Sequence, residues 1–231
     1  MTTKIAFAGL CSVLMLAAPA AYAAQTTTQS TTQMPQDSSK RAADHMITRS
    51  VAVVQRAKSD AHFADLLKRS KGVVILPNLV KGALVVGGSG GQGVLLAHRD
   101  GRWSDPAFIS VGSVSIGAQA GAKAGPVLVV LMTDKALDDF TQGNNFSLNA
   151  NAGLTVVNYS AATQGGFGKD DVVVWSGAAG GFAGASISGS DFTSNRTADA
   201  SFYGKEMSTN DIIKGNPHQN RATKLREALP S

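Results

Sequence analysis

Apolar residues along this chain fall mostly in short blocks broken by glycine. Val73-Val74-Ile75-Leu76, Leu84-Val85-Val86, Val94-Leu95-Leu96, residues 127–132 and residues 172–175 have the length and β-branched content of buried strands. Between them small residues alternate, as in Ser113-Val114-Ser115-Ile116-Gly117-Ala118-Gln119. Pro77 is expected to close the first strand, with the next at 82–87. Asp100-Gly101 has the composition of a two-residue hairpin turn between residues 94–98 and the strand after Trp103. Residues 107–121 read as a strand pair or one bent strand, with further strands at 146–157, 171–177 and 181–188.

Helical spacing is confined to a few segments. Ala43, Ile47, Val51 and Val54 recur at intervals of four, four and three while Arg41, Arg49 and Arg56 avoid that stripe, which predicts an amphipathic helix over 41–57. The stripe lacks large aromatic residues, so its expected fate is packing on the sheet. A second helix is expected over 61–69 with Phe63, Leu66 and Leu67 inward. Thr133 is the expected N-cap of a helix over 134–141 with Leu137 and Phe140 inward, and Ser208 begins a capped turn reaching Ile213. A loose helix is expected over 221–229.

Glycine changes the picture of the sheet, because 23 of the 25 glycines lie between residues 71 and 204. Glycine weakens a strand by ~1 kcal/mol or less, so its repeated use implies close backbone approach, bulges or sharp curvature. The expected fold is α+β: a Gly-rich antiparallel β-barrel or sandwich with N-terminal helices packed on it. No fixed repeat period is present, which argues against a solenoid or propeller.

The ends add a destination. Lys4, the apolar run 5–16 and Ala21-Tyr22-Ala23 have the form of a signal peptide over 1–23. Cys11 would leave with it, and no other cysteine exists, so export without disulfides, as in a bacterial periplasm, is expected. Residues 24–40 are Thr/Gln/Ser-rich and read as a disordered polar leader, 41–217 as the domain, and 218–231 as a basic tail. No segment after the leader has transmembrane length.

Charge is unevenly placed. Lys40, Arg41, Arg49, Arg56, Lys58, Lys68, Arg69, Lys71 and Lys81 face only Asp44, Asp60 and Asp65 over residues 40–81, while the rest of the chain to residue 231 is nearly neutral. Such a field attracts anionic lipid, nucleic acid or acidic protein alike, and a solvated helix face carries the same charge. Export argues against nucleic acid.

Catalytic and metal motifs are weak. Gly87-Gly88-Ser89-Gly90-Gly91 matches a nucleophile elbow and Gly88-Ser89-Gly90-Gly91-Gln92-Gly93 a dinucleotide loop by letter, but a strand, Val94-Leu95-Leu96, follows where both need a helix. His45, His62, His98 and His218 form no ligand pair, and Asp134, Asp138 and Asp139 lack the spacing of a calcium loop. Asp170-Asp171 reads as a turn before a strand. No nucleophile, base and orienting group can be assembled, so neither an enzyme nor a cofactor or metal is expected.

Several segments, in order, carry a likeness. They are Lys71-Gly72-Val73-Val74-Ile75-Leu76-Pro77, residues 82–96, Trp103-Ser104-Asp105-Pro106-Ala107-Phe108, residues 115–121, residues 129–137, residues 181–187, Tyr203-Gly204-Lys205 and Asp211-Ile212-Ile213. This series resembles the SYLF domain, a family that includes yeast and animal adaptors binding phosphoinositide lipids or actin, and many exported bacterial proteins. The resemblance implies a one-domain α+β fold and phospholipid binding without catalysis. In the eukaryotic relatives lipid binding goes with a basic, amphipathic N-terminal segment, which here implicates Lys40, Arg41, Arg49, Arg56, Lys58, Lys68, Arg69 and Lys71, with Lys81 at its end. An exported chain meets no actin, so that property is not expected. The anticipated partner is therefore an anionic phospholipid surface at the periplasmic face of a membrane, with Met46, Phe63 and Leu67 as candidates for shallow insertion. The alternatives are a structural protein binding another envelope protein, or a carrier of a small apolar ligand.

Overall fold

Strand β1 (Gly72–Ala83) does not stop at Pro77 but runs through it. Against β2 (Val86–Arg99), Ile75 faces Val94 and Asn78 faces Gln92, so Leu76 and Pro77 together oppose Gly93. Against β5 (Gly121–Leu131), Leu76 faces Val127 and Leu79 faces Gly125, so Pro77 and Asn78 oppose Pro126. Both prolines, which have no N–H to give the ladder, thus fall at one bulge, the place where an interior strand tolerates them. In the sequence alone Pro77 reads as a terminator, because the bulge exists only once both neighbours are in place.

The computed structural model describes residues 36–83, 86–116, 121–142, 145–148, 153–160, 170–177, 187, 189–215 and 217–231. All lie in one compact unit, Met34–Ser231. The expected signal peptide, most of the polar leader and nearly all of the strand at 181–188 fall outside the described residues. The remaining elements are α1 (Gln36–Lys58), α2 (Ala61–Arg69), β3 (Arg102–Trp103), β4 (Ala107–Ile116), α3 (Asp134–Thr141), β6 (Asn145–Leu148), β7 (Val156–Asn158), β8 (Val172–Ser176), β9 (Ser190–Ser194), α4 (Arg196–Tyr203), α5 (Thr209–Gly215) and α6 (Thr223–Ala228). Helix α1 begins at Gln36, inside the stretch expected to be a polar leader.

One curled sheet runs β6-β9-β4-β2-β1-β5-β8-β7, with β3 branching from β2, and helices pack on it in an α+β half-barrel. Every pairing is antiparallel except β7 with β8, which is parallel. Strands β4 and β5 are not partners; β4 pairs with β2 and β5 with β1. The elbow-like glycine run lies within β2 and ends in no helix, so the rejected nucleophile and dinucleotide readings have no scaffold. Val73, Val74, Ile75 and Leu76 are all fully buried, as are Val94, Leu95, Leu96 and residues 127–131, so this half of the sheet is covered on both faces. The glycine-rich half is different: Val80 is 47% exposed there, the large apolar side chain left open among the described residues.

Local signals set several elements. Asp60 caps α2 by accepting from His62 N and Phe63 N, and Thr133 caps α3 by accepting from Ala136 N. Asp100 and Gly101 both have positive φ (51° and 70°), as the hairpin turn demands. Ser208 and Asp211 cap α5 reciprocally: Asp211 N donates to Ser208 Oγ (3.1 Å) and Ser208 N to Asp211 Oδ2 (3.3 Å). Strand β9 and helix α4 were not foreseen. Their signals were present: Asn195 caps α4 by accepting from Ala198 N, and Gly204 (φ 74°) ends it in the left-handed conformation.

The C-terminal segment, expected as a basic tail, packs into the core through Ala222, Leu225 and Leu229. Trp103 Nε1 donates to Pro230 O at 2.8 Å, and Arg226 pairs with the fully buried Asp105.

Asp199 on α4 is also fully buried. Its Oδ1 accepts from Phe108 N at 2.8 Å while Oδ2 has no partner. Burial pushes this carboxyl from 3.8 up to about 7. The folded protein therefore keeps a proton that the unfolded chain releases, so this group's contribution to stability is intact near pH 4 and is lost as pH rises toward 7. Asp199→Asn keeps the acceptor and removes the titration. Its melting temperature relative to wild type is expected to climb as pH is raised from 4 to 8, which a thermal melt series at several pH values reads; a pH-independent difference would contradict the assignment.

Candidate functional site

The candidate site starts with the two faces of α1. Ala43, Ile47, Ser50, Val54 and Ala57 are buried and pack toward β1, β2 and the C-terminal helices. Arg41, His45, Arg49 and Arg56, spaced by four, four and seven, lie on the opposite face and are exposed. Packing on the sheet thus takes the apolar stripe and leaves the basic face outward. The only carboxylate between Arg41 and Arg56 is Asp44, which accepts from Arg221 Nε at 2.7 Å. The outer face of α1 thus carries three arginines against one exposed acid, Asp37, one turn before Arg41 on the same side.

The nine basic residues divide into groups. Lys40, Arg41 and Arg49 project from α1, exposed and without a side-chain partner among the described residues. Arg56 and Lys58 are partly occupied: Arg56 Nη2 donates to Gly177 O at 2.8 Å and Lys58 Nζ to Ala228 O at 2.7 Å, tying the end of α1 to neighbouring segments. Lys68, Arg69 and Lys71 cluster at the C-terminal end of α2, where cations suit the helix dipole. Lys71 pairs with Asp134 at 3.4 Å, but both side chains are well exposed, so the pair contributes about 0–1 kcal/mol and can exchange for another anion. Lys81 lies elsewhere, ten residues beyond Lys71 along β1, or roughly 30 Å at the strand rise. Its partner in the register of β1 with β5 is Lys123.

The apolar candidates behave differently from expectation. Phe63 and Leu67 are fully buried, so they are core residues and not membrane anchors. Phe63 packs edge-on against Tyr159 (5.1 Å between centroids) and tilted against Trp175 (5.7 Å), and these partners come from distant parts of the chain that periodicity does not reveal. Met46 is half-buried and lines a largely apolar cleft of about 290 Å³ with Ala42, Phe108, Ile109 and Ala198. No group of three His, Cys, Asp or Glu side chains able to hold a metal occurs among the described residues, and no described helix is long and apolar enough to cross a membrane.

Known proteins resemble this chain over most of its length. The SH3 domain-containing YSC84-like protein 1 of Homo sapiens is 28% identical over 173 residues, covering 73% of this chain and 50% of that protein. The LAS seventeen-binding protein 3 of Saccharomyces cerevisiae is 29% identical over 157 residues, covering 65% of this chain and 34% of that protein. The chain thus spans half or less of these relatives' length. No solved structure matches. The family model Ysc84, described as Las17-binding protein actin regulator, matches residues 112–231, more than half of the sequence, and the chain belongs to this Ysc84, or SYLF, family.

Proposed function

We propose that the protein is a non-enzymatic phospholipid-binding protein of the bacterial cell envelope that docks on anionic membrane surfaces through the outer face of α1. The observation that carries this reading is the arginine stripe Arg41, Arg49 and Arg56, set opposite the buried stripe, with Asp44 taken up by Arg221 and Asp37 the one other acid of α1. Each Lys or Arg near an anionic surface contributes ~1 kcal/mol, so three or four give ~3–4 kcal/mol of salt-sensitive attachment. With Phe63 and Leu67 in the core, attachment is electrostatic and not insertive. The yeast relative's name describes binding, and the family's description binding and regulation, which supports a binding role. The signal-like first 23 residues support an exported protein at the periplasmic face.

The test is vesicle flotation of the chain from Ala24 onward with neutral and anionic liposomes at low and high salt. Wild type is expected to float with anionic vesicles alone and to be released by salt. Lys40→Gln/Arg41→Gln/Arg49→Gln removes cations that hold no structural partner, and is expected to weaken flotation at least tenfold without lowering the melting temperature. Undiminished flotation of that variant would refute the assignment to α1.

The apolar cleft beside Met46 favours a second reading, in which a small apolar ligand or a lipid chain lies between α1 and the sheet. An organic extract of the purified protein containing a stoichiometric apolar compound would support it.

A further inference from the structure

The β2–β3 hairpin and α5 border a second cleft, of about 450 Å³, whose walls include Arg99, Arg102, Trp103, Ser104, Ile213 and Lys214. Arg99 and Arg102 face each other directly across the turn. Opposed Cβ atoms there stand about 5 Å apart, where like charges repel. Both arginines are exposed, as is Lys214, and none of the three has a side-chain hydrogen-bond or ion-pair partner among the described residues. Asp100, in the turn, is the one carboxylate among the described lining residues, which leaves three cations against one anion there.

The other polar groups of the wall are already used. Ser104 Oγ donates to Asp105 O (2.9 Å) and accepts from Ala97 N (3.0 Å), and the Trp103 indole N–H is held by Pro230 O. Trp103 stacks on His98 with ring centroids 4.5 Å apart and 8° between planes, so it stands as a fixed flat wall. The unspent donors are two guanidinium groups and one ammonium. Planar forks matched to paired oxygens, with a point charge beside them, suit a tetrahedral oxyanion carrying more than one negative charge.

We propose that this cleft binds a phosphomonoester, with Arg99 and Arg102 gripping its oxygens and Lys214 closing from α5. The volume lies within the range of small-molecule sites and leaves room for a glycerol or sugar attached to the phosphate. The site is distinct from the outer face of α1 and stands whether or not that face meets a membrane. The phosphomonoester can be a soluble compound or the headgroup of a lipid such as phosphatidic acid.

Calorimetric titration of the purified protein with glycerol 3-phosphate, paired with flotation on phosphatidylcholine vesicles containing phosphatidic acid or phosphatidylglycerol, tests this. Glycerol 3-phosphate is expected to bind, with Kd raised at least tenfold in Arg99→Gln/Arg102→Gln/Lys214→Gln and unchanged in Arg41→Gln/Arg49→Gln. The triple variant is expected to melt no lower than wild type, since it removes repulsion. Flotation that is stronger on phosphatidic acid, a monoester, than on phosphatidylglycerol, a diester, and falls in the triple variant to the phosphatidylglycerol level assigns the lipid source. Weakened calorimetric binding with unchanged flotation assigns the soluble one. Absence of glycerol 3-phosphate binding together with flotation indifferent to the triple variant, or wild-type behaviour of that variant with both probes, overturns the proposal.

Discussion

Gly93→Ala is expected to lower the melting temperature by about 10 °C or more, or to yield insoluble protein, on the scale of ~2–4 °C per kcal/mol for a domain of this size. A Cβ on Gly93 would stand 2.1 Å from the Ile75 carbonyl oxygen and 2.8 Å from Leu76 Cδ2. The first neighbour is backbone, held on both sides by the ladders of β1 with β2 and β5, so it cannot swing away as a side-chain tip would. The close approach is the counterpart of the bulge at Pro77: two residues of β1 crowd against one residue of β2, and only glycine leaves them space. Gly112→Ala, on the adjoining β4, is the matched control, since its Cβ would meet nothing within 4 Å. Thermal melts of the two variants decide the matter, and equal stability would remove the proposed crowding.

Arg226→Met should destabilise the fold by ~3–5 kcal/mol, the usual effect of stranding a buried charge. Asp105 is fully buried, and one oxygen accepts from Arg226 while the other accepts from Gln219 N at 2.8 Å. Arg226 also donates to Gln219 O (3.1 Å) and Thr223 Oγ1 (3.0 Å), so it organises the chain leading into α6. Losing it leaves the carboxylate without its counter-ion and loosens the segment that carries Pro230 onto Trp103. Chemical denaturation read by tryptophan fluorescence should show the loss, with emission shifted to the red as Trp103 becomes wet. The double variant Asp105→Leu/Arg226→Met is expected to recover part of the stability, because an apolar pair needs no counter-charge. If the double variant is as unstable as the sum of the two single variants, the ion pair is not what docks the C-terminus.

Both predictions rest on contacts between residues far apart in sequence, and this is where sequence reasoning thinned out. The basic character of residues 40–81 was legible, but not its division. Arg56 and Lys58 each give a donor to Gly177 and Ala228, Lys81 lies far along β1, and Lys40, Arg41 and Arg49 hold no side-chain partner among the described residues. Charge counting sees the sign of a residue and not its partner. Arg99, Arg102 and Lys214 escaped notice for the same reason, since they stand in a stretch with no net positive charge and become a cluster only when α5 meets the hairpin.

What the sequence determined by itself was local. Apolar spacing placed α2, and spacing with the Thr133 cap placed α3, residue for residue; Asp100-Gly101 placed its hairpin, and the stripe of α1 fixed which side faces outward. These features follow from interactions within a few residues, where the chain's own geometry is the whole cause. Only the tertiary structure decided that β1 passes through Pro77, that β4 and β5 separate onto opposite sides of the β1–β2 pair, and that the basic C-terminus becomes core. Each of those outcomes depends on what a distant strand, charge or helix offers at close range, and distance through space is not written in the order of residues.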